Sequence, residues 1–385
     1  MNFREEIIDL IELKKEGNYW DFKEYWHDNN ADLLHDIICF ANNLANRDSY
    51  IIIGVEDKSY TITGIKNDPN RKNQQNIIDF LKSKKFIGGI RPDIEVKTIE
   101  IQNCEVDILI IKNTFDTPYF LSEEYRDKGE CVRRHSIYTR VGDTNTSKDS
   151  IADINQIEYL WKKHFLLTES PIKRIFELLK DKQNWEERYI NNQTIYYYTF
   201  NPEYTMNIED DNDRMHPEFY SMVMTNNNQS YSNLYIKYFG TVIYECQLTH
   251  LDGGRLLIPT PEWSFIRELK RENYQGGYKY FVKNSNKSKL LNFFYDNQNS
   301  EERFAKSNFD EIILYFDSDT QKNNFELYIK ENRDIINNEV DEEIQSMNHI
   351  ICSTELETIY MKTHIAFGKI LNKHLKKYLN KENNH

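Results

Sequence analysis

The sequence predicts an α/β to α+β protein built as two units, and three observations carry that prediction. Over residues 1–165, apolar residues at helical spacing alternate with short apolar runs closed by turn residues. Past Thr168 to Pro171 the texture changes to tyrosine-rich alternating runs and then to helical patterns. The length of 385 residues exceeds what one core usually organises, about 100–200 residues per domain. The expected units are 1–165, a mixed sheet with helices, and 166–385, an α+β unit of unassigned fold.

Phe3, Ile7, Ile8, Leu10 and Ile11 mark a first helix over 3–15, stopped by Gly17 and Asn18. Tyr19 to Lys23 alternates, so Trp20 and Phe22 share one face of a strand and Asp21 and Lys23 the other. Residues 32–45 read as a buried helix, and Tyr50 to Val55 as a fully apolar strand closed by a turn at Glu56 to Ser59. A return strand is expected over Tyr60 to Ile65, a helix over 73–85, and strands at Ile94–Ile101 and Val106–Lys112. A short strand at Ile137–Arg140, a loop to Thr144 and a helix over 149–164 complete the first unit. In the second unit, a helix over 172–182 precedes alternating runs at Thr194–Phe200, Phe219–Met224, Leu234–Phe239 and Val242–Leu248. After Pro259 the pattern is mostly helical, with strands at Tyr278–Val282 and Glu311–Phe316 and a long last helix from Thr354.

Charge narrows the function. With 49 Lys and Arg against 62 Asp and Glu the net charge is −13, split as 23 − 29 = −6 before residue 166 and 26 − 33 = −7 after it. Neither unit coats nucleic acid by bulk charge, because phosphate binding depends on Lys and Arg. A narrow basic strip and a site of carboxylates with a metal both stay open. The five cysteines form no CxxC pair, and the histidines no HxxxH or HxH pair, so zinc chemistry is unsupported. No P-loop motif occurs. The acidic, amphipathic N-terminus is unlike a signal peptide, and no run of 18 apolar residues exists, so a cytoplasmic protein without a membrane span is expected.

The residues that carry chemistry are Glu16, Asp21, Lys23 and Asp57. If the strands over 19–23 and 50–55 are neighbours, three carboxylates converge at one sheet edge, a set of hard oxygen donors suited to Mg²⁺ or Mn²⁺. Lys23 beside them would stabilise a phosphorane oxyanion. The plain alternative is ordinary turn residues and a solvated strand face. Arg133, Arg134 and Arg140 are the candidate backbone contacts for nucleic acid, set against a solvated basic face.

Four segments, in order, resemble the AlbA-like domain of the Schlafen family. Glu16 to Lys23 is similar to its E-x-x-x-x-E-F-K opening, and Ile38 to Asn42 to its "AFAN" helix end. Ile51 to Asp57 resembles its "IGVxD" strand and turn, and Tyr138 to Thr144 its "YxRxGSxT" loop. The resemblance implies a metal-dependent endoribonuclease acting on structured RNA such as tRNA, with Glu16, Asp21 and Asp57 holding Mg²⁺ or Mn²⁺. It also implies that the domain can serve as a non-catalytic nucleic-acid-binding regulator. Two departures stand out: the second glutamate is Asp21, one methylene shorter, and Asn46 to Ser49 replaces the glycine pair before the strand. Self-association as a dimer or higher is expected. By analogy, a nuclease joined to an unmatched domain fits anti-phage defence, with residues 166–385 sensing a phage-derived trigger. A third reading is an interaction protein whose second unit binds a partner.

Overall fold

The computed structural model describes residues 3–191, 193–211, 217–271 and 274–382. The chain divides into two compact units, Met1–Ser170 and Pro171–His385.

The first unit begins with α1 (Phe3–Glu12), β1 (Trp20–Lys23), α2 (Asn30–Ala41), β2 (Ser49–Ile53) and α3 (Gln74–Lys82). It continues with the hairpin β3 (Ile94–Ile101) and β4 (Cys104–Ile111), then β5 (Tyr125–Asp127) and β6 (Glu130–Val132). Two-residue strands β7 (Arg140–Val141) and β8 (Thr144–Asn145) and helix α4 (Ile154–His164) close it. The main sheet has the order β1-β2-β4-β3. Strands β1 and β2 are parallel with α2 as the crossover, and the other pairs are antiparallel.

This sheet is covered on both faces, which is why Tyr50 to Ile53 is apolar without alternation. Ile51, Ile53, Leu109 and Ile111 pack with Leu34, Ile37 and Ile38 of α2. On the other face Phe22, Tyr50, Ile52 and Ile108 pack with Ile7, Leu10 and Ile11 of α1. The register pairs Asp21 with Ile51 and Lys23 with Ile53, so the polar side chains of β1 lie on the α2 face. That face is not solvated at Asp21, which is 2% exposed.

Three motif-like segments have plain structural reasons. Asn42 is buried and accepts from the Tyr119 backbone N–H while its amide donates to the Tyr119 and Tyr138 carbonyls, tying the end of α2 to two distant segments. Gly54 has φ +104°, a region that favours glycine, and its carbonyl accepts from Thr63 and Gly64. Gly17 lies flat against the Trp20 ring, where a Cβ would sit 2.2 Å from a ring carbon.

The second unit runs α5 (Pro171–Leu178), β9 (Trp185–Ile190), β10 (Gln193–Tyr198), β11 (Asn201–Asp211), β12 (Ser230–Tyr238), β13 (Thr241–Leu251) and β14 (Leu256–Pro259). It ends with β15 (Glu262–Arg271), β16 (Tyr274–Val282), α6 (Asn286–Phe294), α7 (Ser300–Asp310), β17 (Leu314–Phe316), α8 (Asp319–Glu331), α9 (Arg333–Ser346) and α10 (Glu355–Glu382). Strands β9 to β14 form an antiparallel sheet in sequence order, and β15-β16-β17 a second sheet. The tyrosine runs supply its core, with Tyr198, Tyr204, Ile208 and Leu234 packed on Ile175 and Phe176.

Three expectations differ. Phe219 to Val223 is a 3₁₀ turn, and its first three residues are buried; a short apolar run cannot be assigned by periodicity alone. Residues 262–271 are strand where a helical pattern was expected. The expected return strand at Tyr60–Ile65 is reduced to one bridge between Val55 and Ile62.

Candidate functional site

The loop from Lys15 to Trp20 is held by the Trp20 indole donating to the Lys15 carbonyl (2.9 Å) and by the Gly17 N–H donating to the Trp20 carbonyl (3.1 Å). It brings Glu16 back onto β1, where its Oε1 receives the Phe22 N–H at 3.5 Å. Asp21 is fixed by strand pairing beneath it. Its Oδ2 receives Lys23 Nζ at 2.5 Å and its Oδ1 receives Arg140 Nη2 at 3.1 Å. Arg140, 119 residues away in β7, also donates to Glu16 Oε2 (3.3 Å), to the Gly17 carbonyl from Nε (2.8 Å) and to Asn145 Oδ1 from Nη1 (3.1 Å). Its guanidinium carbon lies 4.6 Å from the centre of the Phe40 ring of α2. The side chains of Asp21 and Arg140 are almost fully buried, whereas Lys23 and Glu16 keep 32% and 22% of theirs exposed, so the latter two meet solvent.

The electrostatics follow from this packing. Burial, the hydrogen bond to Asp21 and the Asp21 charge push the Glu16 carboxyl up to about 7, against the pull of Lys23 and Arg140. Burial alone would lower the Lys23 ammonium, yet the charges of Asp21 and Asp36 outweigh it and raise its affinity for its proton. The result is a carboxylate pair clamped by two cations, one buried and one partly wet.

Asp57 does not join the pair. It lies in the exposed turn after β2, and among the described residues no group of three or more His, Cys, Asp or Glu side chains could hold a metal ion. In this arrangement the donors do not fit a resident Mg²⁺ or Mn²⁺. Both Asp21 oxygens and one Glu16 oxygen are engaged by Lys23 and Arg140, and a cation there would have to displace them.

Arg133 and Arg134 lie elsewhere on the unit, in a polar cavity of about 610 Å³ beside the β5–β6 hairpin, with Arg126 and Lys148. Three of these cations face acids: Arg126 pairs with Glu124 (3.0 Å), Arg133 with Asp149 (2.5 Å) and Lys148 with Glu130 (2.8 Å). Arg134 has no hydrogen-bond or ion-pair partner among the described residues, which leaves its fork of donors open. Arg140, expected with them, is instead buried at the carboxylate pair.

Sequence reasoning missed Asp36, His27 and Asn145. Asp36 Oδ2 meets His27 Nε2 at 2.8 Å and Oδ1 meets Asn145 Nδ2 at 2.8 Å. The one available signal was the position of Asn145, just past the loop that resembles the family motif.

An α/β unit that brings a loop carboxylate, a strand Asp-x-Lys and a distant arginine together is the class of domain defined by this fold and site. Residues 16–149 match the family model described as Schlafen, AlbA_2, starting at Glu16 itself. The first unit thus carries a Schlafen AlbA-like domain over roughly a third of the chain, and that family supports a nucleic-acid-related function. No curated protein matches the chain. Among solved structures it is similar to the DIP2311 protein from Corynebacterium diphtheriae, at 20% identity, over 38% of this chain and 24% of that one, with a TM-score of 0.23. The chain thus spans about a quarter of that protein, and the likeness is too loose to define a shared fold. No helix among the described residues is long and apolar enough to cross a membrane.

Proposed function

We propose that the first unit is an endoribonuclease domain that acts on the backbone of structured RNA at Glu16, Asp21 and Lys23. The supporting observation is convergence. Residues from two separate segments, each resembling the family pattern, meet at one place through hydrogen bonds spanning more than a hundred residues, and Phe40 of a third such segment packs against the guanidinium. In this reading Lys23 neutralises the phosphoryl oxygens, and Glu16, the more exposed carboxyl, exchanges a proton with the attacking or leaving oxygen. Asp21 and Arg140 hold both in place. Arg134, with Arg133, seats phosphates without reading bases, as expected for recognition of folded RNA by shape and backbone. Lys23 and Glu16 carry the chemistry themselves, because the oxygens a metal would need are already engaged by Lys23 and Arg140. tRNA is the substrate the resemblance implies, and self-association or release by a phage-derived trigger through Pro171–His385 extends the same reading.

A second reading, a non-catalytic nucleic-acid-binding regulator, is favoured by the same clamp, which leaves no carboxylate oxygen of Asp21 free. The full chain, incubated with total tRNA and Mn²⁺ or EDTA, separates them. Cleavage by the wild type that is lost in Lys23→Met supports the nuclease. Binding without cleavage, weakened in Arg134→Ala with a salt slope reduced by about one, supports the regulator. Cleavage that requires Mn²⁺ and fails in Asp57→Ala would show that metal draws Asp57 into the pair and overturn the metal-free arrangement. Neither cleavage nor binding would sink both readings.

A further inference from the structure

We propose that Asp36, acting through Asn145, is a positioning residue for the Glu16–Asp21 pair: it sets the Arg140 guanidinium that holds both carboxylates. The proposal rests on the reading of that pair as a reaction centre.

Asp36 sits on α2 and touches none of Glu16, Asp21 or Lys23 by hydrogen bond. Besides its charge, which acts on Lys23 through space, it reaches the pair by a line of side chains. Asn145 Nδ2 donates to Asp36 Oδ1 (2.8 Å), and Asn145 Oδ1 accepts from Arg140 Nη1 (3.1 Å). Arg140 Nη2 then reaches Asp21 Oδ1 (3.1 Å) and Glu16 Oε2 (3.3 Å). A side-chain amide donates only from nitrogen and accepts only at oxygen, so a carboxylate on one side and a guanidinium on the other fix its orientation. Nε and Nη2 tie one edge of the guanidinium to the Gly17 and Trp20 carbonyls and to both carboxylates. The bond from Nη1 ties the opposite edge, so that no edge of the fork is left to swing away from the acids.

Asp36 is itself anchored. His27 donates from Nε2 to the other carboxylate oxygen, and Oδ1, which takes the Asn145 amide, also faces His35 Nδ1 at 3.9 Å. Burial pushes the Asp36 carboxyl up, but the His27 hydrogen bond and charge, helped by Lys23, hold it at about 2. The His27 ring is almost fully buried, and its Nδ1 has no partner among the described residues. A buried orphan nitrogen costs stability, and here it is the cost of turning Nε2 onto Asp36.

The test uses ¹⁵N-arginine-labelled full-length protein, with the Arg140 Nε–H signal assigned by its absence from Arg140→Lys. In the wild type that proton, donated to the Gly17 carbonyl, is expected to exchange slowly. Asn145→Ala should speed its exchange about tenfold or more, the loss of one charge-assisted hydrogen bond. Asn145→Asp should do the same, because two carboxylates then face each other. The swap Asp36→Asn with Asn145→Asp rebuilds the line with the same atoms and net charge. The introduced asparagine accepts from His27 and donates to the introduced aspartate, which accepts from Arg140. It should restore slow exchange to within about threefold, and in the cleavage assay recover a kcat that Asn145→Ala lowers about 10- to 100-fold with KM little changed. A merely structural Asp36 would lower the melting temperature without moving the Arg140 signal. An unchanged signal in Asn145→Ala, or a swap as disturbed as Asn145→Asp or unable to fold, overturns the proposal. If Asn145→Ala itself does not fold, the comparison of Asn145→Asp with the swap decides. A wild type that never cleaves RNA defeats the nuclease reading alone, since the Arg140 signal is read without substrate.

Discussion

Replacing Arg140 by methionine tests the clamp most severely. Methionine keeps the length and much of the volume of the side chain but removes its charge and every donor. In the native unit the guanidinium makes hydrogen bonds to Gly17, Asn145, Asp21 and Glu16, and its side chain and that of Asp21 are only 2% and 3% exposed. Removing one partner of such a pair strands the other as an uncompensated buried charge, at a cost of about 3–5 kcal/mol. For a unit of this size, about 2–4 °C per kcal/mol turns that into a fall of about 6–20 °C in melting temperature. Calorimetry of the full chain would resolve the first unit's transition. Adding Asp21→Asn should return part of the loss, with a coupling energy above about 1 kcal/mol in a double-mutant cycle. A fall below about 3 °C, or no coupling, would refute the clamp.

Other outcomes follow from the same geometry. The Glu16 carboxyl is raised from 4.5 to about 7 on folding. The folded unit therefore binds more protons than the unfolded chain between those values, and Glu16's contribution to stability is full below about pH 4.5 and lost as pH rises through about 7. Denaturant unfolding from pH 4.5 to 8 should show a smaller loss of stability in Glu16→Gln than in the wild type; parallel curves would contradict the shift. Gly17→Ala should cost about 1–3 kcal/mol and displace the Trp20 ring, seen as a fluorescence change, because the new methyl overlaps ring carbons. Asn42→Ala should cost at least about 1–3 kcal/mol by thermal denaturation, since it orphans a buried N–H and two carbonyls.

What could be read from the sequence was local. The alternation of Trp20 to Lys23 correctly placed Asp21 and Lys23 on one face, and the apolar run of β2 signalled a strand buried on both sides. The partner across from Asp21 was beyond such reasoning: nothing periodic links position 21 to position 140, or position 36 to position 145, because those contacts exist only once the sheet and loops have closed. Arg140 looked like a surface phosphate ligand for the same reason. In the second unit, Glu262 to Arg271 carries good helix formers, and tertiary pairing overrides them. There Gly276 lets β16 approach β15, where a Cβ would meet that of Leu269 at 2.6 Å.

The most direct measurement is the single-turnover rate of structured-RNA cleavage by the full chain, wild type against Lys23→Met and Glu16→Gln, at saturating RNA. A reaction centre formed by the clamped pair requires cleavage in the wild type and its loss in both variants, with RNA binding kept. Cleavage that persists at the wild-type rate in either variant would contradict it.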